Sequence, residues 1–300
     1  MSQEIQFTGP LSGLVFDGPS HSLRQVLGMP GAAVLGPPVA GGIDWATVAP
    51  NGQRAIILRE GQATLLSLRN TPSESPLLSQ VNEPLYASWM PDSSAVALYY
   101  SASASLQWIR LTPEGPEVDA LLPLAWTPPA EVSDFLAGNP SQSAVLAVPG
   151  HGLYKANSAG EVTLVYPATG GLSIAAQPGT ETLWIADRAN GQLVQITNSE
   201  SQVLIASPET LTDLSAIGLS SDGAKLYLAN QGTNRLYLFD RTTSAVTGEI
   251  ELYAPATRFT TLGRPSILLL GQRTKPGETL YVLDEKTGPT VFFVPASEEQ

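Results

Sequence analysis

The chain has 300 residues, with 15 Lys+Arg against 27 Asp+Glu, a formal net charge of −12, and no cysteine. Charged residues make up 14% and hydrophobic ones 43%; an ordinary soluble domain is ~25% charged, so this chain is too apolar to be disordered and has material for a large core. The acidic balance argues against a nucleic-acid partner, and the missing cysteines remove disulfides, thiolate metal sites and cysteine nucleophiles together.

The N-terminal stretch MSQEIQFTGP has neither a basic region nor an apolar run, so no secretory signal is expected, and a periplasmic or secreted location requires that a leader has been removed. The weakly charged stretch from Gln25 to Gly42 holds Pro30, Pro37 and Pro38 with several glycines, which would break a spanning helix. No membrane span is expected.

Helical periodicity is nearly absent along the chain. Short apolar or β-branched runs recur instead, bounded by Gly, Pro, Asn, Asp and Ser, and they repeat as a unit. Each unit reads as a short strand, a turn, two strong strands separated by a polar loop, and a weaker edge strand. The turns are Gly9-Pro10, Pro50-Asn51-Gly52, Pro91-Asp92-Ser93, Asn139-Pro140-Ser141, Pro178-Gly179-Thr180, Ser221-Asp222-Gly223 and Gly263-Arg264-Pro265, spaced 38 to 49 residues apart. That spacing matches the ~40–45 residues of a four-stranded propeller blade. The second strands, such as Ala95-Val96-Ala97-Leu98-Tyr99 and Ala144-Val145-Leu146-Ala147-Val148, are apolar on both faces, as a strand covered on both sides must be. The pattern predicts an all-β, seven-bladed β-propeller with four antiparallel strands per blade, occupying residues 1–300 as one domain.

The stretch KLYLANQGTNRLYLFDRTTSAVTGEI, from Lys225 to Ile250, resembles a YVTN-type propeller repeat, and TLWIADRANGQLVQIT, from Thr182 to Thr197, is similar to an NHL-type repeat. In both families an Ala-Asn or Ala-Asp pair closes the second strand. The resemblance implies the propeller fold without choosing among adhesion, lactone hydrolysis, redox-cofactor binding and scaffolding, all of which such repeats serve.

The loops between second and third strands, with the heads of the first strands, are expected to gather at one mouth of a central channel, where function sits in such folds. The loops contribute His151, Asp187, Arg188, Asn230, Asn234 and Arg235 as candidate partner-binding residues, although turn chemistry alone favours Asn and Asp there. The strand heads contribute Asp44, Glu83, Asp134, Asp213 and Arg258. The four acids are candidate ligands for Ca²⁺ or another hard cation; each could equally cap its own turn. Trp126 lies in the Pro-rich connection Leu122 to Pro129, the longest in the chain, and either meets a partner or folds back on the neighbouring blade. The Gly/Ala-rich piece from Ser22 to Gly36 is expected at the closure between first and last blades.

With only His21 and His151 and no catalytic motif, the expected function is non-enzymatic. The chain is read as a monomeric binding or scaffold module that presents a loop-rich face to a protein or small molecule. The alternative is a lactonase-like hydrolase with a divalent cation at the channel mouth. A quinoprotein-like redox role ranks last.

Overall fold

The structure is a computed structural model that describes residues 11–29, 31–68, 72–78, 85–126, 132–138, 143–207 and 210–295. The described residues contain 28 strands and no helix, and they form seven antiparallel sheets in chain order. The fold is an all-β, seven-bladed β-propeller.

The strands divide between two compact units, residues 1–80 with 260–300, and residues 81–259. The first unit holds blade 1 (Leu11–Asp17, Ser22–Leu27, Val34–Gly41), blade 2 (Trp45–Val48, Arg54–Arg59, Gln62–Ser67, Ser73–Leu78) and blade 7 (Thr260–Thr261, Ile267–Leu269, Leu280–Asp284, Thr290–Val294). The second holds blade 3 (Leu85–Trp89, Ala95–Tyr100, Ser105–Thr112, Gly115–Val118), blade 4 (Asp134–Ala137, Ala144–Val148, Gly152–Ala156, Val162–Tyr166), blade 5 (Leu172–Ala176, Leu183–Asp187, Gln192–Thr197, Glu200–Ala206) and blade 6 (Leu214–Leu219, Lys225–Asn230, Arg235–Asp240, Ala245–Glu251).

Blade 1 shows three strands, and residues 1–10 lie outside the described part. In blade 3 the fourth strand stops after Val118 and resumes as Leu122–Pro123 on the same edge of Ser105–Thr112. The long connection that holds Trp126 therefore partly completes an edge strand.

Turn chemistry acts where the sequence places it. Asn51, Asp92 and Asp222 each accept a bond on the side-chain oxygen from the backbone N–H two residues on, at 3.0, 2.9 and 2.9 Å. This closes the turn between first and second strands. The next residue takes a positive φ, +66° at Gly52 and +61° at Ser93, which reverses the chain within two residues.

Second strands are the most enclosed. Every residue of Ala95–Tyr100 and Ala144–Val148 is buried, whereas the outer strand Ala245–Glu251 has no buried residue. Each core cluster is shared by neighbouring blades. Tyr99, Leu106 and Trp108 of blade 3 pack with Phe135 and Leu146 of blade 4; Trp184 and Leu193 of blade 5 pack with Ile217 and Leu226 of blade 6. A fully buried side chain of this kind contributes about 1.5–3 kcal/mol, so a blade cannot stand without its neighbours.

The first blade packs on the last, as its composition predicts. Val15, Val26, Ala33 and Leu35 of blade 1 form one cluster with Leu262, Ile267, Leu280 and Val294 of blade 7. Gly31 permits the approach, because a Cβ there would lie 3.2 Å from the Phe292 ring.

Candidate functional site

The Ala-Asp and Ala-Asn pairs end second strands, and their polar side chains turn inward. Asp187 is fully buried. Its Oδ2 accepts from Tyr166 Oη at 2.9 Å and Asn190 Nδ2 at 2.8 Å, and its Oδ1 from the Asn190 backbone N–H at 3.2 Å. Burial, together with donation to Asp187, holds the Tyr166 phenol up at about 12. Asn230 does the same work in blade 6: its Oδ1 accepts from Gly232 N at 3.0 Å and its Nδ2 donates to Thr210 O at 2.7 Å. Both side chains hold their own loops, because a buried polar group must be paired.

The other loop candidates are scattered. Arg235 pairs with Glu249 on the adjacent strand. Asn234 sits at φ +50° in its turn, and its carbonyl accepts from Leu252 N at 2.7 Å. His151 is exposed in the loop after Val148. Trp126 is half-buried and stacks on Tyr154 of blade 4 at 4.9 Å between ring centroids, with 27° between ring planes. It folds back onto the neighbouring blade.

Three of the four proposed cation ligands have a partner of their own. Asp44 Oδ2 accepts from Glu60 N at 2.8 Å and caps that turn. Glu83 lies outside the described residues. Asp134 Oδ2 accepts from Ile174 N at 2.8 Å and Ser173 Oγ at 3.1 Å, and its Oδ1 from Phe135 N at 2.9 Å. Asp213 is paired with Nε of Arg188. Among the described residues no three His, Asp or Glu side chains gather as a metal-holding group.

Strand heads and loops nevertheless meet at one sheet edge in blades 4 to 6. The pairings Asp134 with Ala147, Leu172 with Asp187 and Leu214 with Asn230 put each first-strand head beside the end of its second strand. A cavity of about 290 Å³ opens there. Its polar lining comes from Ser133, Asp134, Ser173, Arg188, Ser215, Gln231, Thr257 and Arg258, its apolar lining includes Phe135, Leu172 and Leu214, and Tyr86 of blade 3 closes one side.

Three serines near the heads of first strands lace the floor from blade to blade, Ser133 and Ser215 at equivalent positions and Ser173 one residue on, in the place of Asp134. Ser133 Oγ donates to Leu172 O at 2.9 Å, and Ser215 Oγ donates to Ala256 O at 2.7 Å. Ser173 Oγ, which donates to Asp134, also accepts from Ile217 N at 3.2 Å. Sequence reasoning passed over these serines; the recurrence of Ser at the head of three successive first strands was the available signal.

Burial raises the Asp134 carboxyl above its ordinary value; the Arg258 charge and the hydrogen bonds from Ile174, Phe135 and Ser173 only partly oppose it. Arg188 and Arg258 bring two guanidinium groups to the same cavity. Such a floor is rigid, polar and partly apolar, and it can hold and orient a small ligand.

No protein-family model matches the sequence, and comparison with curated proteins finds no match. Solved structures share the fold. A functionally unknown protein from Desulfotomaculum acetoxidans superposes with TM-score 0.62 at 10% identity, covering 95% of this chain and 99% of that one. Virginiamycin B lyase from Staphylococcus aureus gives TM-score 0.57 at 15% identity over 85% of this chain and 84% of the lyase. The β-propeller domain of Myceliophthora thermophila Cps50 (Swd1) gives 0.55 at 11% identity, covering 99% and 100%. At such identities the likeness is one of fold.

Proposed function

We propose that the chain is a non-enzymatic binding module built from YVTN/NHL-type repeats, and that its ligand is a small molecule seated in the cavity of blades 4 to 6. The observation that carries this reading is the cavity itself. Its floor is fixed by side chains laced from blade to blade, while Gln231, Thr257, Arg188 and Arg258 stand exposed around it. Its 290 Å³ lies at the lower end of the ~300–1,000 Å³ of small-molecule sites.

The test is a thermal-shift screen of small molecules against the wild type and Thr257→Trp, which fills the opening from an exposed position. A ligand at about 100 times its Kd stabilises by roughly 2.7 kcal/mol. The expected outcome is a set of compounds that raise Tm in the wild type and fail to do so in Thr257→Trp. A screen in which every stabilising compound acts equally on both proteins refutes the reading.

A further inference from the structure

The chemistry around the cavity selects among small molecules. This inference rests on the binding reading above and names the ligand class. Arg188 spends its Nε on Asp213. Its two Nη groups make no hydrogen bond among the described residues. Arg258 is exposed and, among the described residues, makes no hydrogen bond or ion pair, facing only the charge of Asp134. Asp134 has both carboxylate oxygens engaged by protein donors, so it offers little to a ligand's own N–H or O–H groups. The hydroxyls of Ser133 and Ser215 already donate to backbone carbonyls. The charged donors left over are two guanidinium groups, joined by the neutral Gln231 amide and the Thr257 and Tyr86 hydroxyls.

We infer that the cavity takes the oxyanion of a small organic acid, gripped by Arg258 and the Nη edge of Arg188, with its apolar body against Phe135, Leu172 and Leu214. Planar guanidinium forks match carboxylate and phosphate oxygens two at a time, which a lysine cannot do. Asp134 and Asp213 oppose an incoming anion. Asp213 is already neutralised by Arg188, and the Asp134 carboxyl, raised by burial, is more easily protonated than an ordinary one.

Isothermal titration at low ionic strength with three probes that share a phenyl body tests this: benzoate, phenyl phosphate and benzamide, the last a neutral isostere of benzoate. The expected result is binding of benzoate, phenyl phosphate or both, with benzamide at least about tenfold weaker. Preference for benzoate assigns a carboxylate ligand, and preference for phenyl phosphate assigns a phosphate ester. Arg258→Met, at an exposed position that leaves the core alone, weakens the anion at least about tenfold, and Arg258→Lys restores only part of it. Benzamide binding as tightly as the anions, or Arg258→Met binding them unchanged, overturns the oxyanion assignment. If neither anion binds while the screen yields neutral ligands blocked by Thr257→Trp, this inference fails and the binding-module reading stands. If no ligand depends on Thr257, both fail.

Discussion

Blades 1 and 7 are joined by an ion pair that is almost wholly enclosed, and its removal gives a sharp test of how that junction holds. Asp17 and Arg273 are 1% and 6% exposed, with Arg273 Nη1 at 2.9 Å from Asp17 Oδ1. The Gly18 N–H also donates to Arg273 O at 3.3 Å. Replacing Arg273 by Met leaves a buried carboxylate, which costs about 3–5 kcal/mol when nothing else supports it. Here Ser20 Oγ donates to Asp17 Oδ2 at 2.5 Å and Arg24 Nη1 stands 3.4 Å away, so the lower end, about 3 kcal/mol, is expected. Unfolding entropy of ~2.1 cal/mol/K per residue gives roughly 0.6 kcal/mol/K for this chain, so Tm should fall by about 5 °C. Asp17→Asn should cost as much or more, because it deprives both Arg24 and Arg273 of their counter-ion. The double variant should cost clearly less than the sum, since no charge is then left buried at the 273 position. Calorimetric melting of the four proteins reads all of this. An exposed pair contributes only ~0.2–1 kcal/mol; a Tm loss under about 2 °C in Arg273→Met, or strict additivity in the double variant, would refute the reasoning.

Four further outcomes follow from the structure. Asp134→Ala strips the acceptor from Ile174 N and Ser173 Oγ and should cost about 1–3 kcal/mol, read as loss of denaturant midpoint at unchanged slope. The folded Asp134 carboxyl is raised above 3.8, so its contribution to stability grows as pH falls through the folded value toward 3.8; Asp134→Asn should remove that rise from a plot of Tm against pH. Asp222 behaves oppositely: donation from Ser220 Oγ, then from Ala224 N, holds it below 3.8, so its contribution is present above 3.8 and lost as pH falls through the lower folded value, and Asp222→Ala should flatten the acid limb. Trp126→Ala loses the stack on Tyr154, about 0.5–1.5 kcal/mol beyond the buried area; an unchanged Tm would show that the stack adds nothing to stability.

The blade count was legible because second strands are apolar on both faces and their turns carry Asn, Asp and Gly at fixed places. Asn51, Asp92 and Asp222 close their turns through their own side chains, a local interaction that needs no knowledge of the rest of the chain. The site was only partly legible. Arg188 and Arg258 stood among the residues expected at one mouth, and the structure brings them to one cavity. The proposed sharing of a cation by Asp44, Asp134 and Asp213 rested on equivalent positions in the repeat. Equivalent positions fix where a side chain starts but not what it meets. Asp134 meets the backbone of the next blade, Asp213 meets Arg188, and Asp44 meets the loop after its own second strand.

Strand position decides the fate of a polar side chain in this fold more than residue type does. At the end of a second strand, sheets cover both faces, so Asp17, Asp187 and Asn230 are enclosed and must take protein partners. At the head of a first strand the edge is open, and side chains there can face a cavity. The excess of acid therefore says little about what the cavity prefers. Charges spread over a surface act through water and salt, which screen them within ~8–10 Å, whereas groups at contact inside a cavity are screened much less. Long-range repulsion from the −12 net charge opposes the approach of an anion and weakens with added salt, and the guanidinium contacts oppose its departure. The two salt effects run in opposite directions. An anion held by Arg188 and Arg258 should therefore show a shallower dependence of affinity on ionic strength than the same pair of contacts would give on a basic protein.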